Sequence, residues 1–266
     1  MAKLAFNISC LVLLVFEICQ RRSALELFEI SIVSFLLSFL FSLGGLGSAV
    51  ALIPVLVFIG VPFSLARPAG LFTNFISTLS ASIHNIKNGL VDFRLAVPLL
   101  LSALLFAPIG AYASTVIPEK IVGIAFTLFL FFAGIMVYTP KRELFEVKNP
   151  FYPVFVGCLS GFISGLLGVG GGGLISPLLI VAGYHPKKVV PVTALAVVFS
   201  SLSAFLAYLK LGRVDWEITL AAAVPAAFAG YLGAHITHKY LSPAQVKKLL
   251  GIVFIILGIK FLTKFM

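Results

Sequence analysis

Two clusters of glycine residues, at 44–48 and 165–173, are the part of this sequence best suited to bind a ligand. They read GGLGS and GLLGVGGGG. Each glycine destabilises a helix by about 1 kcal/mol relative to alanine, so the sequence predicts a break at each cluster and a short helix after it. The first amide groups of such a helix lack intrahelical partners and carry the positive end of the helix dipole. Exposed amides of this kind bind small anions.

The glycine clusters supply six of the expected ligand contacts. These are Gly45, Gly47 and Ser48 in the first cluster and Gly170, Gly171 and Gly172 in the second. The alternative is close helix packing, which requires small residues four positions apart rather than a contiguous run. The second cluster also matches G-x-G-x-x-G, but no β-strand or βαβ unit surrounds it, so it does not indicate nucleotide binding.

A stripe of small polar side chains follows each cluster. Thr73, Ser77, Ser80 and His84 are spaced by four, three and four residues, which places them on one face of a helix. Neutral hydroxyl and amide donors suit an anion that must be bound and then released. The alternative is hydrogen bonding between helices. From the stripes we expect contacts to the ligand from Asn74, Ser77, Thr193 and Ser200.

Charged side chains are rare near the clusters. Arg67 precedes Pro68 in the segment that follows the first short helix, and we expect it to contact the anion. His84 could relay a proton or could be structural. There is no H-E-x-x-H motif and no C-x-x-C spacing among the three cysteines. We therefore expect no enzymatic activity, no catalytic residue, no metal and no cofactor.

The elements that must position these residues are long apolar segments. Of the 266 residues, 61% are hydrophobic and only 11% are charged, whereas a soluble domain carries about 25% charged residues. The mean hydropathy is +1.15, so the apolar surface must face lipid. Segments are expected at about 26–43, 49–60, 66–86, 95–116, 119–139, 150–167, 172–183, 188–209, 216–237 and 244–263. The sequence thus predicts an all-α, multi-pass bundle of about eight to ten segments in the cell membrane.

The net charge of +10 does not indicate nucleic acid. Basic residues occur singly or in pairs at the ends of apolar segments, as at Arg21 and Arg22 or at Lys187 and Lys188. This placement is typical of anchoring at the membrane interface, and no basic stripe with aromatic platforms is present. The expected partners are the lipid bilayer and a small anionic substrate. We expect no nucleic acid.

An internal duplication divides the chain. An offset of 123 residues, the difference between Gly45 and Gly168, superposes the two halves without gaps. It places Lys87-x-Gly89-x-Val91-Asp92 on Lys210-x-Gly212-x-Val214-Asp215, a polar match that shared apolar composition cannot produce. We divide the chain into an extra amino-terminal helix or signal-like segment (1–25), a first repeat (26–139), a polar linker (140–149) and a second repeat (150–266).

Duplicated halves are the usual architecture of secondary transporters, whose substrate site lies near the midplane where the halves meet. Segments 49–60 and 172–183 are too short to span a membrane, so they are expected to be re-entrant segments or half-helices. The repeats are inverted if each half crosses an odd number of times and parallel otherwise. The basic loop residues do not decide between these alternatives, and we favour inversion.

The glycine run followed by Pro177, together with the duplication and the PVTAL sequence at 191–195, resembles the TauE/SafE family, also called the sulfite exporter or TSUP family. The resemblance covers roughly 26–263, although Ser48-Ala49-Val50 replaces the glycine run in the first half. It implies an ion-coupled secondary transporter, an exporter, of small sulfur-containing anions such as sulfite or organosulfonates. The alternatives are an anion channel and a non-transporting membrane protein.

Overall fold

The computed structural model describes residues 24–43, 47–138, 151–240 and 243–265, and in these ranges the chain forms ten α-helices. The first five are α1 (Ala24–Leu43), α2 (Ala49–Phe58), α3 (Phe63–Lys87), α4 (Phe93–Val116) and α5 (Glu119–Tyr138). The second five are α6 (Tyr152–Leu167), α7 (Gly172–Val181), α8 (Pro186–Lys210), α9 (Trp216–Tyr240) and α10 (Pro243–Phe265). The all-helical class is confirmed. Most of the 1–25 segment and the whole 140–149 linker lie outside the described residues.

The outer surface of the bundle is apolar. By length and composition, α1, α4, α5 and α8 could each cross a membrane. On α4, Val97, Leu101 and Leu105 form an exposed row with spacing four. Exposure of such an apolar row to water is unfavourable over the full length of a bundle, whereas contact with lipid is favourable. The protein is therefore a multi-pass membrane protein, as predicted.

The turns of the two halves are built alike, which explains their matching polar loops. Gly89 and Gly212 have φ of 64° and 65°, a left-handed conformation that ends a helix at little cost only with glycine. The carboxylates of Asp92 and Asp215 then accept backbone amides at the start of α4 and α9, both at 3.2 Å. The loop match thus encodes a helix stop followed by an N-cap.

The short helix α7 forms a re-entrant hairpin with α6. The hydroxyl of Tyr152, at the start of α6, donates to the carbonyl of Leu178, near the end of α7, at 3.0 Å. At the other end of the hairpin, a Cβ added to Gly171 would lie 3.1 Å from the carbonyl oxygen of Ser160. α7 therefore runs back towards the face at which α6 begins. Its 10 residues span about 15 Å, half of the hydrocarbon layer.

The equivalent helices α3 and α8 run antiparallel, so the two repeats are inverted. Asn74 contacts Ser201 at 3.0 Å, and the rings of Phe72 and Phe205 are 4.7 Å apart. Arg67, earlier still in α3, lies over the ring of Tyr208, later in α8. Residue numbers thus fall along one helix as they rise along the other. The equivalent pair α5 and α10 is also antiparallel, because Phe126 contacts Phe261 and Gly134 contacts Ile255.

Inversion places equivalent loops on opposite faces of the membrane. We call the face that carries the 117–118 and 211–215 loops the first face, and the face that carries the 88–92 and 182–185 loops the second face. The parallel pair α4 and α8 brings Ser114 to Tyr208 at 2.7 Å, so both helices end at the first face. This outcome agrees with the expectation of inverted repeats.

Glycines with spacing four hold α6 against α4. All three of Gly157, Gly161 and Gly165 face α4. A Cβ added to Gly157 would lie 2.4 Å from the Leu99 carbonyl oxygen, and one added to Gly161 would lie 2.4 Å from that of Ala103. A Cβ added to Gly165 would overlap the carbonyl oxygen of Ala107. Small residues at this spacing let two membrane helices approach each other's backbone. These three glycines therefore serve packing, unlike the contiguous run that follows them.

Inversion predicts that two equivalent lysines, Lys87 and Lys210, lie on opposite faces of the membrane. Both are exposed at helix ends. In a background that lacks the three native cysteines, we expect Lys87→Cys and Lys210→Cys to react with a membrane-impermeant maleimide from opposite sides of sealed vesicles. Labelling of both cysteines from the same side would contradict inverted repeats. Permeabilised vesicles, in which both should react, provide the control.

The α4–α6 interface predicts that Gly161→Ala destabilises the protein. The added methyl would lie 2.4 Å from the Ala103 carbonyl oxygen, and overpacking costs about 1–3 kcal/mol. The matched control is Gly258→Ala in α10, where the nearest atom to the added Cβ is 3.4 Å away. We expect thermal unfolding in detergent to show a lower midpoint for Gly161→Ala only. Equal midpoints would argue against the tight interface.

Candidate functional site

The second glycine cluster breaks the chain as predicted. α6 ends at Leu167 and α7 begins at Gly172. Between them Gly168, Gly170 and Gly171 have φ of 84°, 75° and 76°, values that side chains with a Cβ rarely adopt. The run of glycines is therefore required by the backbone of the turn between α6 and α7.

The first break lies between Leu43, the end of α1, and Ala49, the start of α2. Ser48 is the N-cap residue, and its side chain makes no capping hydrogen bond to α2. Gly45 lies outside the described residues, so its expected contact stays a prediction. Gly47 is described and buried, and the side chain beside it locates the first break within the bundle.

Both breaks meet at one side chain, Asn74. A Cβ added to Gly47 would lie 2.1 Å from Asn74 Oδ1, and one added to Gly170 would lie 2.0 Å from Asn74 Nδ2. Asn74 is fully buried. Its amide therefore occupies the gap between the two interrupted helices, at the interface of the two repeats.

Hydroxyl groups from both halves surround this amide. Asn74 Nδ2 donates to Ser201 Oγ at 3.0 Å, and Ser200 Oγ donates to the Gly170 carbonyl at 3.1 Å. Ser48 and Ser77 approach each other at 3.4 Å between their hydroxyl oxygens. We call Gly47, Ser48, Asn74, Ser77, Gly170, Ser200 and Ser201 the Asn74 cluster.

The cluster is not fully satisfied by its own members. Among the described residues, Asn74 Oδ1 and the neighbouring Thr73 Oγ1 have no hydrogen-bond partner, although both are buried. Buried polar atoms almost always have a partner in native proteins. Asn74 Oδ1 can only accept, so a donor group, a cation or water would complete its hydrogen bonding, whereas Thr73 Oγ1 can also donate to a ligand.

Three expected contacts lie beside the cluster rather than in it. Thr193 accepts a hydrogen bond from Ser176 at 3.1 Å, which ties α7 to α8. An added Cβ at Gly172 would meet Val197, and one at Gly171 would meet Ser160 and Ser164. The predicted ligand contacts of Thr193, Gly171 and Gly172 stay predictions.

Arg67 lies away from the Asn74 cluster. It precedes Asn74 by seven residues on α3, which corresponds to about 10 Å along the helix. Its side chain packs on Gly168 and Tyr208, towards the first face. The sequence thus identified both Arg67 and Asn74 as polar positions, but their separation emerges only from the fold.

Two residues of this region were absent from the expected site. Ser201 lies directly after Ser200, and Tyr208 follows Ser201 by seven residues, so both belong to one stripe of α8. Helical spacing could have identified Tyr208, but nothing in the sequence distinguishes it from an interfacial tyrosine. Its place beside Arg67 depends on the antiparallel packing of α3 and α8.

Fold and site together define a multi-pass helical membrane protein of two inverted halves that meet around a buried polar cluster. The sequence profile of the family described as Sulfite exporter TauE/SafE matches residues 30–261, and the chain belongs to this family.

Relatives from three different organisms carry corresponding descriptions. A probable membrane transporter protein of Methanocaldococcus jannaschii is 26% identical and aligns over 86% of this chain and 92% of its own. The probable membrane transporter protein YunE of Bacillus subtilis is 26% identical over 82% and 90% of the two chains. Sulfite exporter TauE/SafE family protein 6 of Arabidopsis thaliana is 32% identical over 44% of this chain and 27% of its own. No solved structure matches the chain.

The position of Asn74 predicts a strong coupling between Gly47 and Asn74. Gly47→Ala would place its methyl against Asn74 Oδ1 and is expected to lower the free energy of unfolding. Asn74→Ala removes the obstructing amide, so the double variant should recover at least about 1 kcal/mol relative to the sum of the single effects. Thermal or denaturant unfolding in detergent measures the cycle.

A buried residue in another part of the bundle provides the control for this cycle. Thr127→Ala on α5 changes a buried hydroxyl that donates to the carbonyl of Gly123, and it should add to Gly47→Ala without coupling. Additivity of Gly47→Ala with Asn74→Ala would show that the two residues are not in contact.

Proposed function

We propose that this protein is a secondary transporter that exports small sulfur-containing anions, such as sulfite or an organosulfonate. Transport would proceed by alternating access around the Asn74 cluster. The observation that carries the proposal is the convergence of both helix breaks on Asn74, at the interface of two inverted repeats. Inverted-repeat transporters bind substrate near the midplane, between discontinuous helices.

The chemistry of the cluster favours an anion. α7 begins at Gly172, and its first bonded amide is that of Leu174, so the amides of Gly172 and Gly173 lack intrahelical partners and carry partial positive charge. Glycine lets an oxyanion approach these amides closely. Ser201 accepts from Asn74 Nδ2, so its own proton can be donated to an anion. The hydroxyls of Ser77 and Ser200 can rotate towards a ligand from the carbonyls to which they donate. Neutral donors of this kind hold an anion without a fixed counter-charge, which permits release.

Burial of the cluster favours a carrier. Asn74, Ser200 and Ser201 have 0% exposure, so a substrate reaches them only if helices move. An inverted pair of repeats supplies two arrangements of similar structure, one open to each face. The sulfur chemistry and the direction of export are supported by the family description, and the coupling ion, a proton or sodium, belongs to the same proposal.

The decisive test is uptake into proteoliposomes with a panel of sulfur compounds, four anions and the zwitterion taurine. Sulfite, thiosulfate, sulfoacetate, taurine and sulfate should be offered separately, each with and without an imposed proton or sodium gradient. We expect saturable uptake of at least one sulfur anion. Ionic currents far above carrier turnover would instead indicate a channel, and no uptake of any anion would contradict the proposal.

The Asn74 cluster predicts a loss of transport when its hydroxyls are removed. We expect the double variant Ser77→Ala/Ser200→Ala to reduce the initial uptake rate at least about tenfold, since two hydrogen bonds of about 1 kcal/mol each would be lost. The control is Ser102→Ala, because Ser102 is equally buried but donates only to carbonyls of its own helix. Equal uptake by both variants would remove the cluster from the transport site.

A further inference from the structure

A cavity of about 290 Å³ opens at the first face, away from the Asn74 cluster. At about 30 Å³ per water molecule, it has room for a small ion with part of its hydration shell. Its lining includes Ser64, Arg67, Ser114, Glu119, Tyr208 and Arg213. Arg67, Ser114 and Tyr208 are buried, whereas Glu119 and Arg213 are exposed, so the former group forms the inner wall and the latter the mouth.

Arg67 is a buried cation with few partners. Its side chain is 4% exposed, and one terminal nitrogen donates to the Leu166 carbonyl at 3.3 Å. The guanidinium carbon lies 4.9 Å from the ring centre of Phe63 and 5.7 Å from that of Tyr208. Within the described part of the chain, its Nε has no hydrogen-bond partner, and the guanidinium forms no ion pair.

This arrangement leaves the charge of Arg67 incompletely compensated. Two ring faces and the carbonyl at the end of α6 offset part of the charge, but buried charges are normally paired with an opposite charge. Removal of a guanidinium from water costs several kcal/mol when no counter-charge is supplied. A bound anion in the adjoining cavity would supply that counter-charge.

The hydroxyl groups near Arg67 hold the wall of the cavity rather than the ligand. Tyr208 donates to the Gly165 carbonyl at 2.9 Å and contacts Ser114 at 2.7 Å. The Ser114 hydroxyl also lies 2.7 Å from the Ala111 carbonyl oxygen, so its single proton is shared between that carbonyl and the Tyr208 oxygen. These contacts fix the Tyr208 ring beside the guanidinium, so the charged donors that the cavity offers a ligand are the nitrogens of Arg67 and, at the mouth, Arg213.

The second face lacks the equivalent arginines. The offset of 123 residues places Arg67 on Val190, Arg213 on Leu90 and Tyr208 on Asn85. Inverted repeats of identical sequence would have formed the same cavity on both faces. The chain instead has two guanidinium groups at one face and aliphatic side chains at the equivalent positions of the other.

We propose that Arg67 and Arg213 bind a small oxyanion in this cavity, at a site separate from the Asn74 cluster and present at the first face only. A planar guanidinium recognises oxyanions through paired N–H groups. Glu119, also at the mouth, reduces the net positive charge to one, which suits exchange rather than permanent binding. This binding does not rest on the proposed function.

Equilibrium dialysis of the purified full chain with radiolabelled sulfate, at low ionic strength, tests this site directly. We expect Arg67→Gln to lose one bound sulfate per chain and Arg67→Lys, which keeps the charge, to retain it with weaker affinity. Arg213→Gln should raise Kd about three- to tenfold, the effect of one screened charge. The matched control is Lys188→Gln, which removes an exposed cation near Asp92 on the second face and should leave binding unchanged.

Three outcomes would overturn the proposal. Unchanged sulfate binding by Arg67→Gln would remove the site, and an unchanged Kd for Arg213→Gln would do so even if Arg67→Gln failed to fold. Loss of the same bound sulfate in Ser77→Ala/Ser200→Ala would show that there is one site rather than two. Failure of the transport proposal is recognised separately, as absence of uptake with dialysis binding intact.

Discussion

The constraint on which this structure depends is that an interrupted helix inside a membrane must satisfy its backbone within the protein. Both interruptions are placed where the repeats meet, and the amide of Asn74 lies between them. A Cβ at position 47 or 170 would displace that amide, and the left-handed φ of Gly170 favours glycine independently. The short helices and the buried hydroxyls of both halves are brought together around this one polar side chain.

The long helices form the frame, and the short helices contribute the site. α4 and α6 approach through glycines whose Cα atoms face backbone carbonyls, so their relative register is fixed by close packing. The free end of α2 is stabilised separately, because Lys264 donates to the carbonyl of Val57 at 2.7 Å. A cation at the carboxyl end of a helix opposes the helix dipole. The amino-terminal end of α2, with its unpaired amides, can therefore face the centre of the bundle, while the partial negative charge of its carboxyl-terminal end is neutralised at the first face.

Symmetry of the backbone does not extend to the chemistry of the two faces. The turns, caps and helix pairings are repeated in both halves, yet Arg67 corresponds to Val190 and the glycine run at 168–173 corresponds to a shorter cluster. Duplication supplies two nearly equivalent arrangements, which a carrier requires, and divergence makes their ends unequal. In the site that we propose at the first face, the difference between the two faces is limited to a few charged side chains. Substitutions at these positions leave the packing of the long helices intact.

Local sequence determined the membrane class, the ten segments to within a few residues, the duplication and the second glycine break. Each of these depends on short-range physics: the length of an apolar run, the left-handed φ of Gly168 or Gly212, and the capping carboxylate of Asp92. Inversion was only favoured, because basic residues flank both faces. The tertiary structure alone decided that Gly47, Asn74 and Gly170 meet whereas Arg67 lies beside Tyr208. The reason is that the register of α3 against α8 is set by packing between residues more than a hundred positions apart, which no local pattern encodes.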